Sequence, residues 1–166
     1  MTRYRLSLST PLAAPVATVW AQVSTLAGVN RELWPVVMTA PRDARIDART
    51  PLGTVAFRSL LLWRGVIPMD LHWLRMESVC PGQGFQEASW SLSEREWRHR
   101  RTLTETPEGC CVEDEVGFTP RLAGPLLCRI VQATFERRHR RLSGGFGALA
   151  PTRLSLIENP GADAPR

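Results

Sequence analysis

Hydrophobic and polar residues alternate along two neighbouring segments, 97–103 and 112–118. This alternation is typical of β-strands, and Thr106-Pro107-Glu108-Gly109 between them is typical of a hairpin loop. Placing Glu105 opposite Cys110 fixes the register of the hairpin. The facing pairs are then Leu103–Val112, Arg101–Asp114, His99–Val116 and Trp97–Phe118 on one face, and Arg100–Glu115 and Thr102–Glu113 on the other. Because charges meet opposite charges and apolar groups meet each other, the sequence predicts this hairpin.

The remaining segments complete a recognisable order of elements. Alternation predicts strands at 4–9, 36–40, 54–63, 66–79 and 85–93, and helical spacing predicts helices at about 16–23, 29–33 and 125–143. One strand, two short helices, a run of antiparallel strands and a long helix indicate an α+β fold. We expect a curved antiparallel sheet of six to seven strands wrapped around the C-terminal helix. One helix cannot fill such a sheet, so we also expect an apolar cavity between them.

A chain of 166 residues, with 43% hydrophobic residues and six tryptophans, is predicted to form one folded domain. We assign residues 1–148 to this domain and 149–166 to a flexible tail rich in Pro, Gly and Ala. No apolar run reaches the roughly 20 residues that span a bilayer, and the first residues alternate like a strand rather than a signal peptide. We therefore expect a cytoplasmic protein without stable membrane insertion. No feature indicates an oligomeric state.

Composition excludes several classes of function. The formal net charge is +5, and all 21 lysine-or-arginine positions are arginine, which excludes a lysine Schiff base and a lysine-dependent phosphate loop. The arginines concentrate at 98–101, opposite acidic residues, and at 137–141, near a helix end. Without a stacking platform or a recognisable helix-turn-helix, we expect no nucleic-acid partner. The four cysteines and three widely separated histidines have no metal-ligand spacing, so we expect neither metal nor cofactor.

Ionisable residues on otherwise apolar faces are the candidates for chemistry. His99, Arg101 and Asp114 share one face of the predicted hairpin, as either a structural ion pair or the polar end of a ligand cavity. On the long helix, Arg138 falls in the middle of the apolar stripe and needs an acidic partner, for which Asp114 and Glu87 are available. Two registers are open for Glu87. One places it inside beside Arg101, and the other buries Ala88, Trp90 and Leu92 instead.

Several motifs in sequence order resemble a known superfamily. They are Val66-Ile67-Pro68, Pro81-Gly82-Gln83-Gly84-Phe85, Trp97-Arg98-His99, Asp114-Glu115-Val116-Gly117-Phe118 and Phe135-Glu136-Arg137-Arg138. Over residues 3 to 148 the chain resembles the SRPBCC superfamily, the helix-grip proteins that include START lipid-transfer domains, pollen allergens and polyketide cyclase-like proteins. It is most similar to a bacterial, uncharacterised ligand-binding branch. Where that branch often has a second histidine after Trp-x-His, this chain has Arg101.

The resemblance implies a small-molecule binder, a lipid carrier or, occasionally, a cyclase or dehydratase. Our first hypothesis is a non-enzymatic protein that binds a small hydrophobic or amphipathic molecule without a cofactor. The candidate ligand-binding residues are His99, Arg101, Asp114, Arg138, Trp97, Phe118, Phe135, Val131 and Glu87. In this hypothesis Arg101, Arg138 and His99 hold the polar end of the ligand. Our second hypothesis is a cyclase- or dehydratase-like enzyme with His99 as general base, Asp114 orienting it and Arg101 stabilising an enolate.

Overall fold

The computed structural model describes residues 2–41, 44 and 46–159. Their elements in chain order are β1 (Arg3–Leu12), α1 (Val16–Val23), α2 (Leu26–Leu33), β2 (Val36–Met38), β3 (Val55–Trp63), β4 (Ile67–Cys80), β5 (Gly84–Ser91), β6 (Glu94–Thr106), β7 (Gly109–Pro120), α3 (Gly124–Phe146) and β8 (Arg153–Asn159). The strands form one antiparallel sheet in the order β2-β3-β4-β5-β6-β7-β1-β8. The curled sheet and the long C-terminal helix confirm the predicted α+β helix-grip fold.

The β6–β7 hairpin has the predicted register. Leu103 faces Val112, Arg101 faces Asp114, and every other predicted pair is present. Along β7, the residues that face the interior are buried, whereas Glu113 and Glu115 are exposed on the outer face. Opposite charges and apolar side chains therefore select the same register on the two faces of the hairpin.

Irregularities in β3, β4 and β5 curve the sheet. The register shifts between Leu61 and Leu62 in the β3–β4 pair and between Met76 and Ser78 in the β4–β5 pair, and such bulges bend a strand. At the start of β5, Gly84 has a φ of +143° and lies against β6 so closely that a Cβ would sit 2.0 Å from the carbonyl oxygen of Arg101. Only glycine allows β5 and β6 to approach in this way.

Helix α3 closes the concave side of the sheet. Its buried residues lie on one stripe: Cys128, Val131, Phe135, Arg138, His139 and Leu142. Val131 and Phe135 pack with Tyr4, Leu6 and Phe118 in a cluster that joins the helix to β1 and β7. Near the other end of the helix, Leu142 packs with residues of α1, β6 and β7. The middle and the C-terminal end of α3 therefore both pack against the sheet.

The structure differs from the predicted tail at residues 153–159, which form β8 and pair with the outer edge of β1. The composition of the segment suggested mobility, but Leu154 and Leu156 alternate with polar neighbours as in a strand. This strand raises the number of strands from the predicted six or seven to eight among the described residues. Residues 160–166 of the predicted tail lie outside the described residues. No helix in the described part of the chain combines the length and apolar character needed to cross a bilayer.

Candidate ligand cavity and buried ion network

A cavity of about 350 Å³ lies between the concave face of the sheet, α2 and α3. Most of its wall is apolar, with Phe57, Leu74 and Phe85 from the sheet and Val131 and Phe135 from α3. Its volume is within the range of small-molecule sites, roughly 300–1,000 Å³. Met69 and Ile130 are lining residues that are themselves exposed, at 50% and 46%, and they mark where the cavity meets solvent. The mostly apolar space expected from the sequence is therefore present.

Arg101 and Asp114 lie behind the cavity wall rather than on it. The Arg101 guanidinium donates from Nε and Nη2 to the two Asp114 oxygens, at 2.8 and 2.7 Å. Its Nη1 donates to both oxygens of Glu32, at 3.1 and 2.9 Å. Neither Arg101 nor Asp114 lines the cavity, and both are buried. With all three guanidinium nitrogens engaged, Arg101 holds the fold together and does not face the cavity.

The partner of Arg138 is Glu32 on α2, not Asp114 or Glu87. Arg138 Nε and Nη2 lie 3.1 and 3.0 Å from Glu32 Oε2, and the Arg138 side chain also lines the cavity. Sequence reasoning missed Glu32, although a signal was present. Gly28 and Glu32, one helical turn apart, are the buried residues of α2, so a charged residue lies on a buried stripe there as on α3.

Two carboxylates join all three histidines of the chain. Glu87 lies 2.8 Å from His72 Nε2 and 3.7 Å from His99 Nδ1. Asp114 lies 2.9 Å from His99 Nε2 and 3.0 Å from His139 Nε2. Sequence reasoning treated these histidines as unrelated because they are far apart along the chain. The sheet register brings them together, since Glu87 lies opposite His99 and points inside. The first predicted register was right about the inward orientation, but Phe85 rather than Glu87 lies opposite Arg101.

These pairings fix the charges of the network. Burial raises the pKa of Glu87 and Asp114, but their partners outweigh it and leave both pKa values well below the ordinary range. For Glu87 the partners are His72 and His99, and for Asp114 they are chiefly Arg101. Burial lowers the pKa of His72, but the hydrogen bond to Glu87 outweighs it and leaves that pKa raised. Asp114 is therefore an acceptor, and His99 Nε2 and His139 Nε2 donate to it.

Six of the predicted site residues line the cavity. They are His99, Arg138, Trp97, Phe135, Val131 and Glu87. Phe118 lies behind the wall with Arg101 and Asp114, where its ring is 5.4 Å from that of Tyr4 and 6.0 Å from that of Trp97. Ala88 and Trp90 of the second Glu87 register belong to the opposite face of β5, where Trp90 stacks on Trp73.

A second polar group, which sequence reasoning missed, lies where β5 turns into β6. Asp70 Oδ1 accepts from the backbone N–H of Leu71 and Leu92, and its Oδ2 accepts from the Ser93 hydroxyl. Glu94 Oε2 accepts from the Ser91 hydroxyl at 2.8 Å. Asp70, Ser93 and Glu94 all line the cavity. We call Asp70, Ser91, Ser93 and Glu94 the acidic end, and Glu32, Arg101, Asp114, Arg138 and His139 the inner cluster.

The acidic end differs electrostatically from the inner cluster. Burial raises the pKa of Glu94, the Ser91 hydrogen bond only partly opposes this, and the nearby Asp70 raises it further. Glu94 is buried, with only 7% of its surface exposed. Within the described residues, no three histidine, cysteine or carboxylate side chains are arranged to hold a metal ion. The cavity therefore offers an apolar body, a histidine–carboxylate wall and an acidic end.

Comparison with solved structures identifies the fold. The chain is similar to protein CV1439 from Chromobacterium violaceum, with 15% identity, a TM-score of 0.65, and coverage of 84% of this chain and 95% of the other. It is similar to a START superfamily protein from Mycobacterium smegmatis, with 15% identity, a TM-score of 0.59, and coverage of 86% and 97%. It is also similar to CalU16 from Micromonospora echinospora, with 17% identity, a TM-score of 0.57, and coverage of 89% and 77%.

These likenesses confirm the SRPBCC fold that the motifs suggested. No curated protein matches the sequence. The sequence model of one family covers residues 10–146, which include every element that builds the cavity and the inner cluster. The chain belongs to this family, which is described as a domain of unknown function, DUF8410.

Proposed function

We propose that this protein binds a small hydrophobic or amphipathic molecule in the cavity between the sheet and α3. The observation that carries the proposal is an apolar space of about 350 Å³ that opens to solvent beside Met69 and Ile130. Protein interiors are otherwise close-packed, so a space of this size costs stability unless a ligand fills it. The START superfamily neighbour supports the same class of function through its fold.

The polar groups of the wall set how such a molecule is held. Arg101 is not available to a ligand, because its nitrogens are engaged by Asp114 and Glu32. Arg138 reaches the cavity but is held by Glu32. His99 and Glu87 also face the cavity and can accept or donate hydrogen bonds. The apolar body of the ligand would pack against Phe135, Val131 and Trp97.

A cavity-filling substitution tests the proposal with a matched control on the same helix. Thr134 lines the cavity, whereas its neighbour Ala133 is exposed. We expect 1-naphthalenemethanol to bind the wild-type protein and the Ala133→Trp variant with equal affinity, measured by isothermal titration calorimetry. The Thr134→Trp variant should lose binding while keeping its circular dichroism spectrum, because the indole occupies the space. Equal binding by both variants would place the molecule outside the cavity and contradict the proposal.

A cyclase- or dehydratase-like activity is the second candidate, favoured by the geometry of His99. Asp114 accepts a hydrogen bond from His99 Nε2, and Nδ1 is the ring nitrogen that lies toward Glu87 and the cavity. In this reaction His99 Nδ1 takes a proton from a carbon between two carbonyl groups. The resulting enolate attacks another carbonyl of the same molecule, a carbon–carbon bond forms, and the protonated His99 returns its proton to the new alkoxide. The hydroxyl group then leaves as water together with a second proton from the carbon between the two carbonyl groups.

Turnover separates the two candidates. A linear triketone incubated with the protein should be recovered with unchanged mass if the protein only binds, and should lose one water if it is an enzyme. In the second case, a His99→Gln variant should keep the affinity for the triketone and lose the conversion. Recovery of unchanged triketone from a protein that binds it would eliminate the enzymatic candidate for this class of substrate.

A further inference from the structure

We infer that the ligand carries a protonated amine, which Asp70 and Glu94 hold at the acidic end of the cavity. This inference rests on the proposed function and names the chemical class of the ligand. It follows from the pairing of the other buried carboxyl groups, from the free oxygen of Glu94 and from the pairing of Arg101 and Arg138 with the inner cluster.

Carboxyl groups of the inner cluster and of the histidine–carboxylate wall have cationic partners within the fold. Glu32 is paired with Arg101 and Arg138, Asp114 with Arg101, and Glu87 with His72. In the described part of the chain, no arginine or histidine nitrogen lies within salt-bridge distance of Asp70 or Glu94. These two carboxyl groups face the same cavity, and the described cation that acts on them, His72, is itself hydrogen-bonded to Glu87 rather than to either of them.

Glu94 also has hydrogen-bonding capacity to spare. Its Oε2 accepts from Ser91, whereas its Oε1 has no partner among the described residues. The residue lines the cavity and is buried, with only 7% of its surface exposed. Oε1 is not sealed inside the protein, so it is open to the cavity and free to accept hydrogen bonds from a ligand. An ammonium group supplies up to three N–H donors together with the missing charge, and such charge-assisted bonds are stronger than neutral ones.

Other polar groups on the ligand fit this end less well. A carboxylate or phenolate at this end would be repelled by Asp70 and Glu94. Arg101 is saturated behind the wall, and Arg138 pairs with Glu32 and lies beyond salt-bridge distance of both carboxyl groups, so neither arginine compensates there. A hydroxyl group offers only one donor and no charge. Because the rest of the wall is mostly apolar, the molecule would join the amine to an aromatic or aliphatic body.

Three probes of matched shape test the inference: 1-naphthylmethylamine, 1-naphthalenemethanol and 1-naphthoate. At pH 7.5 and low salt, calorimetry should show the amine binding wild-type protein at least about tenfold more tightly than the alcohol, with the carboxylate weakest. The Glu94→Gln variant should lose the preference for the amine and keep the affinity for the alcohol. Glu96→Gln is the matched control, because Glu96 lies on the same strand and is paired outside the cavity with Arg3 and Arg98. It should keep the preference.

Each result of the experiment decides between the claims. If the alcohol binds in the cavity and the amine is no tighter, the inference is wrong and the proposed function stands. The inference is equally wrong if Glu94→Gln keeps the full preference for the amine. If none of the three probes binds, the proposed function fails together with the inference. The order of the three affinities in wild-type protein decides the matter even where a variant does not fold.

Discussion

Two of the groups of carboxyl residues on the concave side of the sheet, the inner cluster and the acidic end, differ in how their oxygens are satisfied. In the inner cluster, each oxygen of Glu32 and Asp114 accepts from a guanidinium or an imidazole, and both residues are almost fully buried. At the acidic end, Glu94 has one hydrogen bond from a hydroxyl and no cationic partner among the described residues. The residue types are the same, but only one of the two places is complete without a ligand.

This difference separates structural from binding roles better than residue type does. Buried ion pairs with full hydrogen bonding contribute to a unique fold, and removing one partner leaves a costly charge. An incompletely paired carboxyl in a cavity lowers stability and is retained where function requires it. Arg101 and Asp114 belong to the first kind by this criterion, and Glu94 belongs to the second.

The largest effect is expected at the centre of the inner cluster. Arg101→Met removes the guanidinium that holds both Asp114 and Glu32, so two buried carboxylates lose their main partner. We expect the free energy of unfolding, measured with urea, to fall by about 3–5 kcal/mol.

The neighbouring arginine provides the control for this prediction. Arg100 points to the opposite face of β6, where it is 53% exposed and lies 3.5 Å from Glu115. Arg100→Met should change the free energy of unfolding by less than about 1 kcal/mol. An equal decrease in the free energy of unfolding of the two variants would contradict the stabilising role of the inner cluster.

A smaller effect, with a pH dependence, is expected for Glu87. Its lowered pKa contributes stability that is present above its ordinary value of 4.5 and is lost as the pH falls toward the folded value. The raised pKa of His72 contributes stability that is present below 6.5 and is lost as the pH rises through the folded value. The His72–Glu87 pair is therefore fully effective between about pH 4.5 and 6.5.

Urea unfolding at several pH values checks this window. Glu87→Gln should cost about 2 kcal/mol at pH 5.5, because a charged hydrogen bond is lost, and the cost should shrink as the pH rises above 6.5. The exposed carboxylate Glu115 provides the control. Glu115→Gln should cost little at any of these pH values, and a Glu87→Gln cost that does not change with pH would contradict the assigned charges.

The contribution of Glu94, at the acidic end, to the free energy of unfolding should change with pH in the opposite direction to that of Glu87. The raised pKa of Glu94 means that the folded protein prefers the neutral carboxyl, so ionisation above the ordinary value of 4.5 lowers stability. Glu94→Gln should therefore raise the free energy of unfolding at pH 7 by about 1–2 kcal/mol. The gain should disappear near pH 4, where the carboxyl is largely protonated in both states. A loss of stability at pH 7 would place Glu94 with the structural carboxyl groups.

The smallest effect is expected at Ser59, a buried polar residue that belongs to neither group. It lies opposite His72 in the β3–β4 pair, and its hydroxyl has no hydrogen-bond partner among the described residues. Ser59→Ala should raise the free energy of unfolding by about 1 kcal/mol, because an unsatisfied hydroxyl is removed. A decrease of that size would instead indicate that a water or another group satisfies this hydroxyl.

The sequence predicts the part of the site that local pairing determines. The β6–β7 hairpin could be aligned because its strands are joined by a short loop and its charges match across them, so Arg101–Asp114 followed directly. The burial of Arg138 followed from its place on the helical stripe. Its partner did not, since Glu32 is 106 residues away. The stripe of α2 can mark Glu32 as buried, but it does not pair Glu32 with Arg138.

The rest of the site depends on packing between distant elements. Bulges in the β4–β5 pair set which residues of these strands face inward, and single-strand alternation does not reveal them. The contact between His72 and Glu87 could not be predicted for this reason. The cavity is the space left after α3 packs on a curved sheet. The alternation of residues predicts that such a space exists, but not that Glu94 reaches into it.

A crystal structure of the protein with 1-naphthylmethylamine tests the central claim most directly. We predict the naphthalene ring inside the cavity, against Trp97 and Phe135, and the ammonium nitrogen about 2.7–3.2 Å from Glu94 Oε1. A ring bound outside the sheet, or an unaltered empty cavity at saturating amine, would contradict the binding function. A ring inside the cavity with its nitrogen turned away from Glu94 would contradict the role of the acidic end.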